Sequence, residues 1–355
     1  MGMEDTILQL SNVDECDRIY AAEDIGLAGA PEGAAPLFGQ LLNEPSQAVR
    51  EAIFAALARL PNDSVLQGAV QLLSHDDPGI RNQALELLQS RGNSVVPELR
   101  HLLAAPGSDL RKFAVDVLSR IETPESEELL AIAIADRDVN VVITALENIR
   151  HCHSRALRQE VLRHALSGGH PMLVLAALDA LGRVGDAECY RQVRERFPRL
   201  KAMPSIYLEP ALRLVGMNGE NGDLVELQSF LASCEPKLRA AVLDALRNIL
   251  ARAGAAELPD AWWQGLLATL PETTSAAERY QTLVLLGHFG QRKQVVEVLI
   301  AFLQSPVKVD RLGAIEALGQ SRCESACCAM RSRLKMEADP EVRQALEDAF
   351  CGNGQ

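Results

Sequence analysis

One helical pattern is repeated about ten times along this chain, and the repetition limits the possible folds more than any other feature does. Each copy begins with an aliphatic residue, often followed by Arg, and runs through a small residue to an apolar pair. Clear copies begin at Val49, Ile80, Leu110, Leu173 and Leu238. A fixed period of this kind predicts an architecture built from similar stacked units.

The length of the period indicates what each unit contains. The small core residue of each copy marks the register, and successive marks lie 30 to 34 residues apart except for one gap of 40. The marks are Ala21, Ile53, Ala84, Ala114, Ala145, Ala177, Ala211, Val242, Thr282, Ala314 and Ala345. A period near 31 suits two helices with two tight turns and is too short for three. Neither helix could bury its apolar stripe alone, so neighbouring units are expected to stack.

An acidic residue followed by proline begins the first helix of several copies, at Asp77-Pro78, Glu235-Pro236 and Asp339-Pro340. A carboxylate can accept the free amides of a first helical turn, and proline is tolerated there. An Arg four residues after the acid can pair with that acid or with the acid of the next repeat.

Glycine is predicted to end the same helices, within residues 25–29, 181–186 and 286–290, because it adopts the left-handed conformation of a helix terminus. Pro210 lies inside one copy, where proline removes a hydrogen bond. We expect a kinked or late-starting helix there.

The succession Asp-Pro-x-x-Arg, Ala-Leu and Leu-Gly-x-x-Gly-Asp resembles the HEAT repeat, in a bacterial form similar to the phycobilin-lyase-like repeats. The resemblance covers residues 14–350 and implies an all-α fold, a right-handed α-α superhelix of the HEAT/armadillo type. About ten helix pairs plus a C-terminal capping helix would form one solenoid over residues 1–355, with irregular spacing near 204–222 and 250–275. Three central copies have Val142, Val174 and Leu208 in place of the Arg, so the Asp–Arg series should be interrupted there.

Composition narrows the function classes. The 355 residues are 48% hydrophobic and contain no apolar run long enough to span a membrane. The amino terminus lacks the basic start of a secretory signal, and the eight cysteines are scattered, so we expect a cytoplasmic protein. No metal site is predicted at Cys323, Cys327 and Cys328 or at His151-Cys152-His153, no cofactor is expected, and no catalytic arrangement is recognisable.

Charge is unevenly distributed. The net charge of −13 divides into −14 over residues 1–149, +5 over 150–201 and −4 over 202–355. The basic stretch contains an arginine band: Arg155, Arg158, Arg163, Arg191, Arg194, Arg196 and Arg199. The HEAT resemblance implies that second helices line a concave surface, which would place the band inside it. There it would either dock carboxylate or phosphate groups of a partner or form a solvated face paired with acids such as Glu160, Glu188 and Glu195.

Trp262 and Trp263 are the only tryptophans and lie in the single 40-residue gap. Adjacent helical residues point about 100° apart, so we do not expect both rings to be fully buried. We favour a packing role in the core for this pair; in the alternative, one ring lies in the core and the other contacts a partner.

Three functions are compatible with these observations. The first is a non-catalytic protein–protein interaction scaffold whose groove binds an acidic segment of another protein, without nucleic acid or membrane. The second is an accessory subunit resembling the phycobilin lyases, in which the arginines pair with tetrapyrrole propionates and a tryptophan stacks on the rings. The third, a HEAT-like DNA glycosylase, would require a basic surface along most of the length, which the charge distribution disfavours. The sequence does not predict the oligomeric state.

Overall fold

The computed structural model describes residues 2–254, 258–270, 275–321 and 323–351, and every regular element in these ranges is helical. Short 3₁₀ turns lie at Pro31–Gly33, Gly92–Val95 and Leu200–Ala202. The α-helices are α1 (Met3–Gln9), α2 (Glu15–Ala28), α3 (Ala34–Leu41), α4 (Gln47–Arg59), α5 (Asn62–Leu72), α6 (Pro78–Gln89), α7 (Val96–Leu103), α8 (Ser108–Leu118), α9 (Pro124–Ile134), α10 (Val139–Asn148), α11 (Arg155–Leu166), α12 (Pro171–Val184), α13 (Ala187–Arg196), α14 (Ser205–Asn218), α15 (Asn221–Leu231), α16 (Pro236–Ala253), α17 (Asp260–Thr269), α18 (Ala276–Gly287), α19 (Lys293–Phe302), α20 (Lys308–Ser321), α21 (Glu324–Leu334) and α22 (Pro340–Cys351).

The helices form pairs, as the period predicts. The even-numbered helices from α2 to α20 are first helices, and each is followed by a second helix, from α3 to α21. Within the described residues this gives ten pairs and a final unpaired helix, α22, which confirms the predicted number. The short helix α1 precedes the first pair and was not predicted.

Contacts divide the chain into two compact units, residues 1–180 and 181–355, with the boundary inside α12. Within each unit, first helices pack against neighbouring first helices, for example α2 on α4 and α18 on α20. Second helices likewise pack against second helices, for example α9 on α11 and α19 on α21. The single solenoid over residues 1–355 stays a prediction.

The predicted register is confirmed by burial. Every register mark from Ala21 to Ala314 is buried, with at most 3% of its surface exposed. Ala345, the last mark, is only half-buried because α22 has no following helix among the described residues. One small side chain per first helix therefore lies where consecutive pairs meet.

The predicted glycine end is confirmed for α2, where Gly29 is the C-cap in the left-handed conformation with φ 65°. Among the described glycines only Gly29, Gly92 and Gly254 have positive φ, so the other glycines near the ends of first helices have a different role. Gly26, by contrast, lies inside α2, where a Cβ would be 2.7 Å from the Cα of Ala56 on α4. Gly287 meets Ala317 in the same way, at 2.8 Å. The prediction of a left-handed glycine end is therefore wrong for residues 181–186 and 286–290. At Gly26 and Gly287 the missing side chain is instead needed for close approach of the next first helix.

Pro210 does not delay its helix. α14 begins at Ser205, five residues before Pro210, and continues to Asn218 with the proline inside and buried. The expected late start is therefore wrong. The long gap between register marks arises partly from α16, which has 18 residues. The other residues of the predicted irregular segment include 255–257 and 271–274, which lie outside the described residues.

Arg111 shows how consecutive repeats are joined by charge. Its Nε and Nη2 donate to Asp136 at 2.7 and 2.9 Å, while Nη1 donates to the carbonyls of Ala105 and Pro106, both at 2.9 Å. Asp136 also accepts the backbone N–H of Asp138 at 2.7 Å. One guanidinium therefore ties the start of α8 to the turn that begins α10.

The same contact recurs between other consecutive repeats. In each case the arginine pairs with the acid of the next repeat rather than with the acid of its own repeat. The further pairs are Arg18–Glu44, Arg50–Asp77, Arg239–Glu278, Arg279–Asp310 and Arg311–Glu337. Where the arginine is replaced in the central copies, Val142, Val174 and Leu208 are buried in the core instead.

These contacts lower the pKa values of the Asp136 and Glu337 carboxylates. Burial alone would raise the pKa of Asp136, but the hydrogen bonds from Arg111 and from the Asp138 amide hold that pKa below its ordinary value. The pKa of Glu337 is lowered against burial in the same way, by the Asp339 amide and Arg333. A carboxylate with a lowered folded-state pKa stabilises the fold above about pH 4, and this stability is lost as the pH falls through the lowered pKa.

The close approach at Gly26 predicts opposite effects for two Gly→Ala substitutions. Gly26→Ala should destabilise the protein by about 1–3 kcal/mol, because the new methyl overlaps Ala56. Gly39→Ala, in α3, meets nothing within 4 Å and should stabilise by up to about 1 kcal/mol through helix propensity. Urea unfolding followed by circular dichroism measures both; equal effects would contradict the role assigned to Gly26.

Candidate interaction surface

The arginine band is divided between the two compact units. Arg155, Arg158 and Arg163 belong to α11 in the first unit. Arg191, Arg194 and Arg196 belong to α13, and Arg199 lies just after it, in the second unit. The two groups are therefore described separately.

In the first unit the three arginines have different environments. Arg163 pairs with Glu160 at 2.7 Å on the same exposed helix face. Arg158 is half-buried and donates to the carbonyl of Cys152 at 2.6 Å. Arg155 is exposed and makes no ion pair with a described residue. Of these three arginines, only Arg155 is exposed and forms no ion pair with a described residue.

In the second unit, two arginines are paired internally. Arg191 pairs with Glu188 one turn earlier on α13, as the solvated-face alternative predicts for that acid. Arg194 donates to Glu226 on α15 and lies 3.7 Å from Asp223. The Arg194 side chain is only 20% exposed, so this contact joins two neighbouring second helices rather than offering a charge to a ligand.

Asp223 also accepts the phenol of Tyr190, and burial together with this carboxylate raises the pKa of Tyr190 well above its ordinary value. The phenol therefore remains a neutral donor at physiological pH. Neither Asp223 nor Glu226 was predicted from the sequence, although Glu226 follows Arg194 by 32 residues, about one period. That spacing was the available signal, since the pairs between first helices span similar distances in sequence.

The end of α13 carries three cations, Arg196, Arg199 and Lys201, which we call the basic turn. Arg196 and Arg199 are exposed, and the Arg196 guanidinium lies 5.3 Å from the centre of the Phe197 ring. Lys201 is exposed, with its Nζ 3.4 Å from the hydroxyl of Ser229. No described carboxylate forms an ion pair with any of the three.

The backbone of the basic turn is held in place. The amide of Leu200 donates to Glu226 at 2.7 Å, and the Leu200 side chain is buried. The Glu226 carboxylate thus accepts hydrogen bonds from both the Arg194 guanidinium and the Leu200 amide of the basic turn. The cations are presented from a fixed segment, which limits the conformational entropy that binding would cost.

Both tryptophans are buried, so the expectation that the two rings would not both be fully buried is wrong, while their burial agrees with the favoured packing role in the core. Trp262 and Trp263 have 2% and 4% of their surface accessible. Trp262 stacks on Phe289 with ring centres 5.5 Å apart, and Trp263 donates to Asp260 at 3.1 Å. The reason is that α17 contacts α18 and also receives a hydrogen bond from Gln228 of α15, so neighbours cover it on more than one side.

The candidate metal residues do not converge. Across the described ranges, no group of three or more His, Cys, Asp or Glu side chains is arranged to hold a metal ion. His151 lies 3.1 Å from Glu122, and His153 lies 2.9 Å from Glu127. Glu127 also accepts hydrogen bonds from the amides of His153 and Ser154, so it caps the turn before α11.

None of the described helices has both the length and the apolarity needed to cross a bilayer.

Comparison with known proteins identifies the repeat. The family model for HEAT repeats matches residues 4–89, 66–150 and 264–351, together more than half of the chain. No protein with a curated description matches the sequence.

Among solved structures, the karyopherin Kap121p is similar over nearly the whole chain. Its complex with the SUMO protease Ulp1p has a TM-score of 0.68 at 12% identity, covering 98% of this chain and 44% of the karyopherin. Its complex with Pho4p has a TM-score of 0.67 at 12% identity, covering 98% and 45%. The chain therefore spans less than half the length of these karyopherins, and at this identity the likeness concerns the fold.

The different environments of Arg194 and Arg196 predict different effects on stability. Arg194→Met should destabilise by about 2–4 kcal/mol, because Glu226 and Asp223 lose their counter-charge in a half-buried site. Arg196→Met, on the surface, should change the unfolding free energy by less than about 0.5 kcal/mol. Chemical denaturation tests this pair, and equal losses would show that Arg194 is not the bracing residue.

Proposed function

We propose that this chain, which belongs to the HEAT repeat family, is a non-catalytic scaffold that binds another protein through an acidic segment. The observation that carries the proposal is the basic turn, three exposed cations within six residues of an otherwise acidic protein. A net charge of −13 makes such a cluster a local exception.

The chemistry of the basic turn favours carboxylate-bearing partners. Arg196 and Arg199 present planar guanidinium groups, which bind carboxylates through two parallel hydrogen bonds. Their positive field, surrounded by an acidic protein, would orient an incoming acidic segment and speed its association. Of the seven arginines in the band, the paired Arg163, Arg191 and Arg194 are assigned no role in binding.

The fold supports a binding role for the second helices. In HEAT-like solenoids these helices line the concave groove, and the basic turn directly follows a second helix, α13. The Kap121p structures similar to this chain include complexes with Ste12p and with the extreme C-terminus of the protein phosphatase Cdc14p. We propose the same general mode here, a repeat surface that receives a segment of another protein, confined to the second unit.

The tetrapyrrole alternative is not favoured by any specific observation. It assigns ring stacking to Trp262 or Trp263, and both side chains are buried in contacts of the second unit. With both tryptophans buried, the arginines offer only the acid recognition that a protein segment would equally satisfy.

A charge-reversal experiment tests the proposed site. The probe is a fluorescein-labelled synthetic peptide rich in Asp and Glu, and binding is followed by fluorescence anisotropy at moderate salt. Arg196→Glu/Arg199→Glu should weaken binding at least about tenfold, because two guanidinium contacts become repulsive.

The matched control is Arg100→Glu/Arg120→Glu, which makes the same change in net charge at two exposed positions of the first unit. This control should change the affinity by less than about twofold, because neither position belongs to the basic turn. Equal weakening by the two double variants would show attraction by net charge alone and would reject the basic turn as the site.

A further inference from the structure

The first helix pair carries an exposed apolar surface that the proposed function does not use. On α2, Tyr20 is 63% exposed and Leu27 is 72% exposed. Earlier in the chain, Leu8 on α1 and Val13 in the α1–α2 loop are 72% and 98% exposed. Exposed large apolar side chains mark interaction sites when they lie side by side rather than singly.

Helical geometry aligns this apolar surface. Tyr20 and Leu27 are seven residues apart, so they lie within about 20° of each other around α2 and about 10 Å apart along it. Cys16, also exposed, lies on the same stripe one turn before Tyr20. We call this stripe the α2 seam. The opposite face of α2, formed by Ala21, Ala22, Ile25 and Gly26, is buried.

Carboxylates flank the α2 seam on both sides. At about 100° per residue, Glu23 lies about 60° from Tyr20 in one direction, and Asp24 and Asp17 lie about 40° and 60° away in the other. All three acids are exposed, and none forms an ion pair with a described residue.

The rest of this region supplies no compensating cation. Residues 1–44 contain nine acidic residues and one basic residue, Arg18. Arg18 is already bound to Glu44 at 2.9 Å and to the carbonyls of Asn12 and Val13. The exposed carboxylates of the α2 seam therefore have no counter-charge within their own region.

We infer that the α2 seam is a second docking surface, which receives an amphipathic helix with an apolar stripe flanked by Lys or Arg. Apolar side chains at positions i and i+7 of such a helix would pack against Tyr20 and Leu27. Basic residues on each side would pair with Glu23 and with Asp17 or Asp24, as at the flanking positions of a coiled coil. A second copy of this chain does not fit, because two α2 seams would bring like charges together.

The inference goes beyond the proposed function, since the surface lies in the first unit and selects the opposite charge. The test uses fluorescently labelled synthetic helices of about three heptads, with a Leu stripe flanked either by Lys or by Glu. The wild-type protein should bind the Lys-flanked peptide, with an affinity that falls as salt is raised, and should not bind the Glu-flanked peptide. Equal binding of the two peptides would overturn the assigned charge selection.

Two pairs of substitutions locate the binding. Tyr20→Ser/Leu27→Ser should weaken binding of the Lys-flanked peptide at least about tenfold, because both apolar anchors are removed. The control Val225→Ser/Met336→Ser removes two equally exposed apolar side chains of the second unit and should leave binding unchanged. Retained binding in the first variant, or equal loss in the control, would overturn the proposal.

Charge exchange and self-association complete the test. Glu23→Lys/Asp24→Lys should transfer the preference to the Glu-flanked peptide, whereas an unchanged preference would contradict the role of these acids.

Sedimentation velocity should show no dimer that depends on Tyr20 and Leu27. Such a dimer would assign the surface to a second copy and reject the inference. Arg196→Glu/Arg199→Glu should not affect this peptide, so failure here is distinguishable from failure of the proposed function.

Discussion

No helix of this protein can bury its apolar face alone, and the rest of the structure follows from that constraint. Within each unit, first helices pack on neighbouring first helices and second helices on second helices, so the main contacts run between residues about 31 positions apart. Gly26 against Ala56 brings two first helices together. Arg111 then fixes how one pair meets the next, because its guanidinium donates both to the Ala105 carbonyl in the turn before α8 and to the Asp136 carboxylate. Apolar burial stabilises the stack, while the charged contacts specify its register.

The sequence predicted what depends on periodicity and missed what depends on neighbours. Ten helix pairs and the buried register positions could be read from spacing, since small residues recur wherever first helices meet. Gly29 ends α2 as predicted, whereas Gly26, three residues earlier, admits a neighbouring helix, and the sequence does not distinguish the two roles. Trp262 and Trp263 were expected to diverge, but burial depends on how many helices surround α17. The arginine band likewise could not be sorted into bracing and free members until Glu226 was located beside Arg194.

Two surfaces with opposite chemistry remain after the structural contacts are accounted for. The basic turn of the second unit offers guanidinium groups to carboxylates, and the α2 seam of the first unit offers apolar side chains between carboxylates. Each lies beside a satisfied ion pair, Arg194–Glu226 in one case and Arg18–Glu44 in the other. Charges that brace the fold are buried or half-buried and paired, whereas the charges that we propose for partners are exposed and form no ion pair with a described residue.

Hydrogen exchange of the Arg111→Met variant, measured by mass spectrometry, tests most directly whether stability is carried between neighbouring repeats. Removing the guanidinium leaves Asp136 without its partner across the α8–α10 junction. Exchange should accelerate in α8 and in residues 135–140 and stay unchanged in α2 and α20. The control variant Arg120→Met, at an exposed position, should leave the exchange of α8 and of residues 135–140 unchanged. A uniform acceleration along the chain, or no change near Asp136, would contradict the account.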